Sequence, residues 1–237
     1  MRGIAFPFGL RSSLLLIGVG KYPRPSGLAG SIPAVGVLKM QKEELIRNLK
    51  DYKFSAKIIN AFEKVDREKF IPEEAKQLAY EDSAISIGYG ATISQPYTIG
   101  FMLNHLKVKD RQKILEVGSG SGYVLSLLSE LSPNGKIFGI ERIKELAEKS
   151  KKILGDCKNI KVIHGNGFNG LKEEKSFDRI LVSASANSIP DKLVNQLKIN
   201  GILVVPVKDS ILVVKKRKDK NVVEEYPGFR FVPLIEK

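Results

Sequence analysis

The stretch from Ile114 to Tyr123, ILEVGSGSGY, limits the possible folds of this chain more than any other. It opens with a short apolar run of the kind found in buried parallel strands. Gly118, Gly120 and Gly122 follow, and glycine lets the backbone bend sharply and a ligand approach it closely. The apolar residues that come next at helical spacing are Val124, Leu127, Leu128 and Leu131. Strand, turn and helix in this order predict the first unit of a doubly wound α/β sheet.

The glycine spacing in this turn, G-x-G-x-G, excludes two common nucleotide sites. A dinucleotide fingerprint would need a third glycine at the position of Tyr123, and no G-K-[ST] of a triphosphate loop occurs in the chain. Glu141 ends the next apolar strand, KIFGIE, 23 residues after Gly118. A carboxylate at that place can accept hydrogen bonds from both hydroxyls of a ribose. These features predict a nucleoside ligand without a pyrophosphate.

Periodic patterns elsewhere supply the other elements of such a sheet. Helices are predicted at about 41–52 and 55–65, and later at KELAEKSKKIL and IPDKLVNQLK. Strands are predicted at KVIHGNG, FDRILVSASA, GILVVPV, ILVVKK and NVVEEY, the last two as an antiparallel hairpin. Together with the strands that end at Val117 and Glu141, this makes seven strands.

Composition narrows the chemistry that the chain can perform. Its 237 residues suffice for one large α/β domain with a full core. The only cysteine, Cys157, lies in a stretch typical of a surface turn, so no disulfide framework is expected. His105 and His164 are isolated from each other and from any acid cluster. We therefore expect neither a metal site nor a catalytic triad.

The net charge of +13 would suit an acidic partner, but part of it comes from the first 39 residues. The remainder has 34 basic and 26 acidic residues, spread over lysine-rich helices. One true cluster runs from Lys215 to Lys220 between two strand-like stretches. A solvated hairpin tip is the favoured interpretation of this run, and a nucleic-acid contact is the alternative.

Residues 1–39 differ from the rest, being rich in Gly, Pro and Ser and without amphipathic period. Their apolar run from Leu14 to Val19 is too short to span a bilayer. A signal peptide, a transit-like segment and translation from an early start codon are the three interpretations. Because Met40 opens a well-formed helical pattern, we expect residues 1–39 to be disordered and Met40 to be the functional start. Mass spectrometry of the native N-terminus would test this.

The segment REKFIPEEAKQLAYEDSAISIGYGATISQP carries a family resemblance. It is similar to the substrate-side region of protein-L-isoaspartate O-methyltransferases, whose pattern runs through F-x-P, A-Y-x-D, a glycine pair and T-I-S-x-P. The matching residues are Phe70, Pro72, Ala79, Tyr80, Asp82, Gly88, Gly90, Thr92, Ile93, Ser94 and Pro96. The glycine turn with Glu141 resembles the S-adenosylmethionine site of Rossmann-like methyltransferases, and Phe229 to Lys237 resembles the R-F-V-P-L ending of the family. The resemblance covers roughly 42–237.

This resemblance implies a Rossmann-like class I methyltransferase domain over residues 40–237. Residues 40–110 would form a helical and substrate-loop region, and 111–237 a cofactor core whose mostly parallel seven-stranded sheet ends in an antiparallel hairpin. Members of the family transfer a methyl group from S-adenosylmethionine to the free carboxylate of isoaspartyl residues in damaged proteins. The ester then collapses to a succinimide, which returns some linkages to the aspartyl form. We expect a cytoplasmic monomer whose partners are isoaspartyl peptides and proteins, without metal, membrane or nucleic acid.

The resemblance also implies residue roles. Ser94 would be catalytic, lying beside the transferring methyl and hydrogen-bonding the target carboxylate, while capping of the helix that begins near Tyr97 is its alternative role. The residues implied in cofactor binding are Ile93, Gly118, Ser119, Gly120, Ser121, Gly122, Glu141, Asn166 and Gly167. Those implied in substrate binding are Asp82, Gly90, Thr92 and Ser94.

Two positions depart from the family pattern. Ala91 stands where glutamine is common, which removes a polar contact to the substrate or its loop. Asn166 stands where the family has the aspartate of G-D-G, and its carbonyl oxygen can still accept from the adenine amino group. Two other functions therefore remain open, a methyltransferase of the same fold that acts on RNA and a non-catalytic S-adenosylmethionine-binding protein.

Overall fold

A computed structural model describes residues 41–174 and 176–235 of the chain. The expectations for residues 1–39 and for Met40 lie outside the described residues. The helices are α1 (Lys42–Asp51), α2 (Ala56–Lys64), α3 (Pro96–Leu106), α4 (Tyr123–Leu131), α5 (Lys144–Ile153) and α6 (Asp191–Asn195). The strands are β1 (Ile85–Gly88), β2 (Ala91–Ile93), β3 (Lys113–Val117), β4 (Lys136–Glu141), β5 (Ile160–His164), β6 (Phe177–Val182), β7 (Leu197–Val207), β8 (Ser210–Lys215) and β9 (Val222–Pro227).

Seven of these strands form one sheet in the order β5-β4-β3-β6-β7-β8-β9. Pairing is parallel from β5 to β7, and antiparallel where β8 joins β7 and β9 joins β8. The predicted mostly parallel sheet with an antiparallel C-terminal hairpin is therefore confirmed. Because β3, β4, β5 and β6 run the same way, their carboxyl ends meet at one edge, where such sheets bind ligands.

The central strand β3 is buried on both faces, as its apolar run predicts. Side chains alternate along a strand, so neighbouring residues face opposite layers of the protein. Ile114 belongs to the core that includes helix α4, whereas Leu115 and Val117 belong to a second core that includes helix α6. All three are at most 1% exposed. This double burial fixes the position of the turn that follows β3 at the edge of the sheet.

A second, two-stranded sheet was not predicted from the sequence. Strands β1 and β2 pair antiparallel, with Ile85 opposite Ile93. The turn between them runs through Gly88, Tyr89 and Gly90, all with positive φ, at 89°, 56° and 73°. We call residues 85–93 the substrate-side hairpin. Its apolar side chains are buried while its turn is exposed to solvent.

The predicted helix IPDKLVNQLK was wrong in extent, since α6 stops at Asn195. The next residue, Gln196, is held by strand β6, because its carbonyl oxygen accepts a hydrogen bond from the Phe177 amide at 2.8 Å. Leu197 then pairs with Phe177 as the first residue of β7. Pairing with the sheet thus overrides a helical pattern that would have continued through Lys198.

The basic run lies between strands β8 and β9, and several of its charges are used locally. The Lys215 amine forms an ion pair with Glu224 on the neighbouring strand. Lys216 donates to the carbonyl oxygen of Leu197 at 2.8 Å, and Arg217 donates to the side-chain oxygen of Asn200. These contacts stabilise the hairpin connection and leave fewer cations for an external partner.

Replacing Gly122 by alanine should destabilise the protein by about 2–4 kcal/mol. Its φ of +90° is unfavourable for any L side chain, and an added Cβ would lie 2.7 Å from Leu154 Cδ1. Urea unfolding would measure this difference. Gly155→Ala is the matched control, because a Cβ there meets only ordinary contacts of 3.6 Å or more. Equal stability of the Gly122 and Gly155 variants would contradict this account of the turn.

Candidate active site

The glycine turn is fastened to the neighbouring strand β4. The amides of Gly118 and Ser119 donate to the carbonyl oxygen of Ile140 on β4, at 2.8 and 3.1 Å. Gly118, Gly120 and Gly122 have φ values of 78°, 51° and 90°, so every second residue of the turn has a positive φ before α4 begins. It therefore brings main-chain atoms to the carboxyl edge of the sheet with few side chains in the way.

Glu141 lies directly beside this turn, as its place in the sequence predicted. It is the last residue of β4 and only 6% exposed. Its Oε2 accepts a hydrogen bond from the Gly120 amide and its Oε1 one from the Ile143 amide, both at 2.8 Å. Each carboxylate oxygen has a further lone pair. The side chain is thus held rigidly and can still accept hydrogen bonds from a ligand.

Asn166 and Gly167 follow β5 at the same edge of the sheet. The Asn166 side-chain oxygen accepts from the Phe168 amide at 2.9 Å and begins a short 3-10 turn, Gly167–Asn169. Gly167 is buried, and a Cβ there would lie 2.5 Å from Val117 Cγ1. Glycine is therefore needed at this position because the loop packs tightly against the end of β3.

A cleft joins the glycine turn to the substrate-side hairpin, although more than twenty residues separate them in the chain. The turn contributes residues 118–121, and the hairpin with the next residue contributes Thr92, Ile93 and Ser94. Glu141, Asn166 and Gly167 lie outside this cleft. The structure thus unites the predicted catalytic residue with one part of the predicted cofactor site and places the other part further along the sheet edge.

Ser94 follows β2 and does not cap helix α3. The residue that precedes α3 is Gln95, and the Tyr97 amide donates instead to Asp82 Oδ1 at 2.7 Å. The carbonyl oxygen of Ser94 accepts a hydrogen bond from Arg67, but its hydroxyl bonds to no other residue in the described part of the chain. Ser94 is one of the residues that line the cleft. Its hydroxyl is therefore available to a ligand rather than committed to the helix.

Asp82 uses both carboxylate oxygens within the protein. Besides the bond from Tyr97, its Oδ2 accepts from Gln95 Nε2 at 3.1 Å. Gly90 and Thr92 lie in the exposed part of the hairpin. In this arrangement Asp82 fixes the path of the chain on both sides of Pro96, while Gly90 and Thr92 face solvent where a peptide can approach.

The C-terminal segment approaches the same region. The ring of Phe229 stacks on Tyr97, with their centroids 6.5 Å apart and the planes at 9°. Further on, the Ser185 amide donates to the Val232 carbonyl oxygen at 2.7 Å, just beyond the carboxyl end of β6. The segment therefore packs against the start of α3, close to Ser94.

Sequence reasoning missed Glu116, which is one of the residues that line the cleft. It is 1% exposed, and burial, with a smaller contribution from Glu141, raises the pKa of its carboxyl to about 8. Its Oε1 accepts from the Ser183 hydroxyl at 2.7 Å, whereas Oε2 has no partner among the described residues. An acid inside the apolar run ILEV is itself unusual, and this signal could have identified it.

Comparison with known proteins identifies the family. The model of the family described as protein-L-isoaspartate(D-aspartate) O-methyltransferase matches residues 40–237. The chain belongs to this family. A protein-L-isoaspartate O-methyltransferase from Fervidobacterium nodosum is 42% identical over 198 residues, covering 80% of this chain and 99% of that protein. One from Methanothrix thermoacetophila is 41% identical over 204 residues, covering 84% and 96%.

A solved structure from Plasmodium falciparum is also similar to this methyltransferase. It is described as a protein-L-isoaspartate O-methyltransferase in complex with S-adenosyl-L-homocysteine. It shares 29% identity at a TM-score of 0.72 and covers 83% of this chain and 98% of its own. This chain is thus an S-adenosylmethionine-dependent methyltransferase with the family's α/β fold.

The residues at the cleft suit S-adenosylmethionine. Within the described residues, two buried polar atoms there lack a hydrogen-bond partner, Glu116 Oε2 and Ser119 Oγ. A buried carboxyl group with an oxygen that lacks a partner favours a ligand that is cationic or that can hydrogen-bond to it. S-adenosylmethionine carries a sulfonium and an ammonium group, so the enzyme can satisfy these atoms when the cofactor binds.

The described residues also bear on metals and membranes. No group of three or more His, Cys, Asp or Glu side chains within them could hold a metal ion. None of the helices in that part of the chain has both the length and the apolar character needed to cross a bilayer.

The raised pKa of Glu116 predicts how stability depends on pH. The folded protein keeps a proton that the unfolded chain releases above about 4.5, so stability should fall as the pH rises from about 4.5 to about 8. This group adds a slope of up to about 1.4 kcal/mol per pH unit. Urea unfolding across this range should show a shallower dependence in Glu116→Gln. An exposed control, Glu130→Gln, should keep the original slope, and identical slopes in all three proteins would contradict the assignment.

Proposed function

We propose that this methyltransferase binds the free carboxylate of an isoaspartyl residue between Ser94 and the glycine turn and transfers the methyl group there. One observation carries the proposal: Ser94 lines the same cleft as residues 118–121, and its hydroxyl is bonded to nothing else in the described chain. A hydroxyl in that position can donate to one carboxylate oxygen. The other oxygen then points toward the reacting methyl.

The acceptor needs no general base, because a free carboxyl has a pKa of about 4 and is ionised at neutral pH. Bound S-adenosylmethionine supplies the methyl group, and a carbon–oxygen bond forms as the carbon–sulfur bond breaks. The protein contributes alignment and the exclusion of water, effects on the order of 7–11 kcal/mol in favourable cases. A site without a histidine or a catalytic triad is therefore sufficient for this reaction.

The substrate-side hairpin is the surface on which the peptide would lie. Its turn at Gly88–Gly90 is exposed, and so is Thr92. Asp82 supports this surface from inside by holding Gln95 and Tyr97. Ala91 begins β2 opposite Gly88, so the side chain at this position is one methyl group beside the peptide path. Substrate contacts here would come mainly from the backbone.

The cofactor would extend from the cleft along the sheet edge. Glu141 would accept from the ribose hydroxyls, and Asn166 with Gly167 would border the adenine. Ile93 and residues Gly118 to Gly122 would surround the part that carries the methyl group. This order follows the edge from the cleft to the end of β5, in line with the neighbouring positions of Glu141 and His164 in the sheet.

An acceptor panel tests the proposal. Methyl-labelled S-adenosylmethionine is offered to an isoaspartyl peptide, to its aspartyl isomer and to RNA, each at low and at high salt. We expect base-labile label on the isoaspartyl peptide alone. Label on RNA that declines steeply with salt would favour the RNA-directed alternative. Cofactor binding without label on any acceptor would favour the non-catalytic one.

We further propose that the enzyme acts as a cytoplasmic monomer. Its cofactor is an intracellular metabolite, and an in-line transfer within one cleft does not require a second subunit. Light scattering at working concentration should give the mass of a single chain. A dimer mass would contradict this part of the proposal without affecting the chemistry.

A further inference from the structure

Arg67 is a fully buried cation that has no carboxylate partner. Its exposed fraction is 0%, and by volume it is the largest fully buried side chain among the described residues. None of the ion pairs formed within the described residues includes it. Its Nε also lacks a hydrogen-bond partner there. A buried guanidinium without a carboxylate is costly, so another role must account for its position.

The contacts of Arg67 reach three separate parts of the site. Nη1 donates to the carbonyl oxygen of Ser94 at 2.9 Å, and Nη2 donates to that of Ser83 at 3.1 Å. The guanidinium carbon lies 5.3 Å from the centre of the Tyr123 ring. Ser83 precedes the substrate-side hairpin, Ser94 follows it, and Tyr123 is the first residue after the glycine turn. One side chain thus links both ends of the hairpin to the cofactor side.

The chemistry of arginine suits this linkage. A guanidinium is planar, and its two terminal nitrogens diverge at a fixed angle, so it can hold two carbonyl oxygens at once. A lysine amine could reach one of them as a point charge but could not fix their separation. Burial lowers the pKa of Arg67, while the nearby Tyr123 and Asp82 act in the opposite direction. Burial is the larger of these effects, and Tyr123 and Asp82 offset part of it.

We propose that Arg67 is a positioning residue for methyl transfer, holding Ser94 at its working distance from the glycine turn. The inference rests on the proposed role of Ser94. Arg67 does not border the cleft, so it acts through the Ser94 main chain and not on the substrate. A displacement of about 1 Å at a reacting group can lower a rate about 10²-fold. Loss of this residue should therefore lower kcat and leave cofactor affinity nearly unchanged.

The variants Arg67→Met and Arg67→Lys test this inference. Methionine removes the hydrogen bonds and fills part of the space. Lysine keeps the charge but lacks the two diverging nitrogens that hold both carbonyl oxygens. We expect kcat on an isoaspartyl peptide to fall about 30- to 100-fold in Arg67→Met. Arg67→Lys should recover only part of the rate. Calorimetry with S-adenosylhomocysteine should give a Kd within about threefold of the parent enzyme.

Arg179→Met is the matched control. Arg179 is also buried, at 8% exposed, and it donates to the carbonyl oxygens of Lys107 and Asp178. It lies near the start of β6, at the sheet edge opposite the cleft. This variant should lose stability like Arg67→Met and keep a kcat within about twofold of the parent. An equal loss of kcat in both variants would show that destabilisation alone explains the effect and would overturn the inference.

A double-mutant cycle with Ser94→Ala separates this inference from the proposed function. If Arg67 acts through Ser94, the double variant is about as slow as Ser94→Ala alone. Multiplied losses would refute the role of Arg67 and leave that of Ser94 intact. A parental rate in Ser94→Ala alone would instead refute the role of Ser94 and the inference with it. If Arg67→Met does not fold, the same cycle is run with Arg67→Lys, which keeps the charge and most of the volume.

Discussion

Replacing Ser94 by alanine should lower kcat on an isoaspartyl peptide by roughly 10²–10³-fold. Loss of one well-placed hydrogen-bond donor in an active site has costs of this size. The substitution removes one oxygen atom that bonds to no other described residue, and Asp82 retains the capping of α3. We therefore expect unchanged stability and an unchanged Kd for S-adenosylhomocysteine. Initial rates with saturating cofactor and varied peptide measure the effect.

The control for this substitution is Ser126→Ala on helix α4. Ser126 is also partly buried, but it lies outside the cleft. Its removal should leave kcat within about twofold of the parent. If the Ser94 variant also kept the parental rate, the assignment of that residue would be wrong while the fold and the cofactor site would stand.

Replacing Glu141 by alanine should weaken cofactor binding by about 10² or more. The carboxylate can accept both ribose hydroxyls, and a hydrogen bond to a charged group contributes about 1.5–3 kcal/mol. The same change leaves the amides of Gly120 and Ile143 without their acceptor, so the turn itself loosens. Calorimetry with S-adenosylhomocysteine measures the change in Kd. The expected loss appears in the KM for cofactor more than in the KM for peptide.

Glu148→Ala provides the comparison for this second prediction. Glu148 is an exposed acid on helix α5, and its Oε1 lies 3.9 Å from Lys144 Nζ. An exposed pair of this kind contributes little, so cofactor affinity should not change. Should Glu141→Ala bind the cofactor as tightly as Glu148→Ala, the carboxylate would not be a ribose ligand.

Much of the sheet could be predicted because its strands are short apolar runs bounded by clear turns. The run before Gly118 and the strand that ends at Glu141 lie where their patterns indicate, and the parallel order follows from the intervening helices. The end of α6 could not be predicted in the same way. It depends on the bond between Gln196 and Phe177, two residues that local periodicity does not relate.

In the site, too, some residues could be predicted from local sequence patterns and others could not. The glycine turn and Glu141 follow from spacing alone, whereas the role of Ser94 came only from the family resemblance. Nothing in the local pattern of Ser94 indicates that it would meet the turn, because that contact depends on a hairpin of two very short strands. The linkage through Arg67 is also hidden in the sequence, since a lone arginine ordinarily indicates an exposed surface.

Conversion of an isoaspartyl peptide tests the central claim most directly. The peptide is incubated with enzyme and S-adenosylmethionine, and its isoaspartyl, methyl ester, succinimide and aspartyl forms are separated by chromatography. We predict a transient ester, then succinimide, and then a growing share of the aspartyl peptide, with one methyl group transferred per cycle. The aspartyl isomer offered alone should remain unchanged. An isoaspartyl peptide that stays intact, or an ester formed equally on both isomers, would contradict the account.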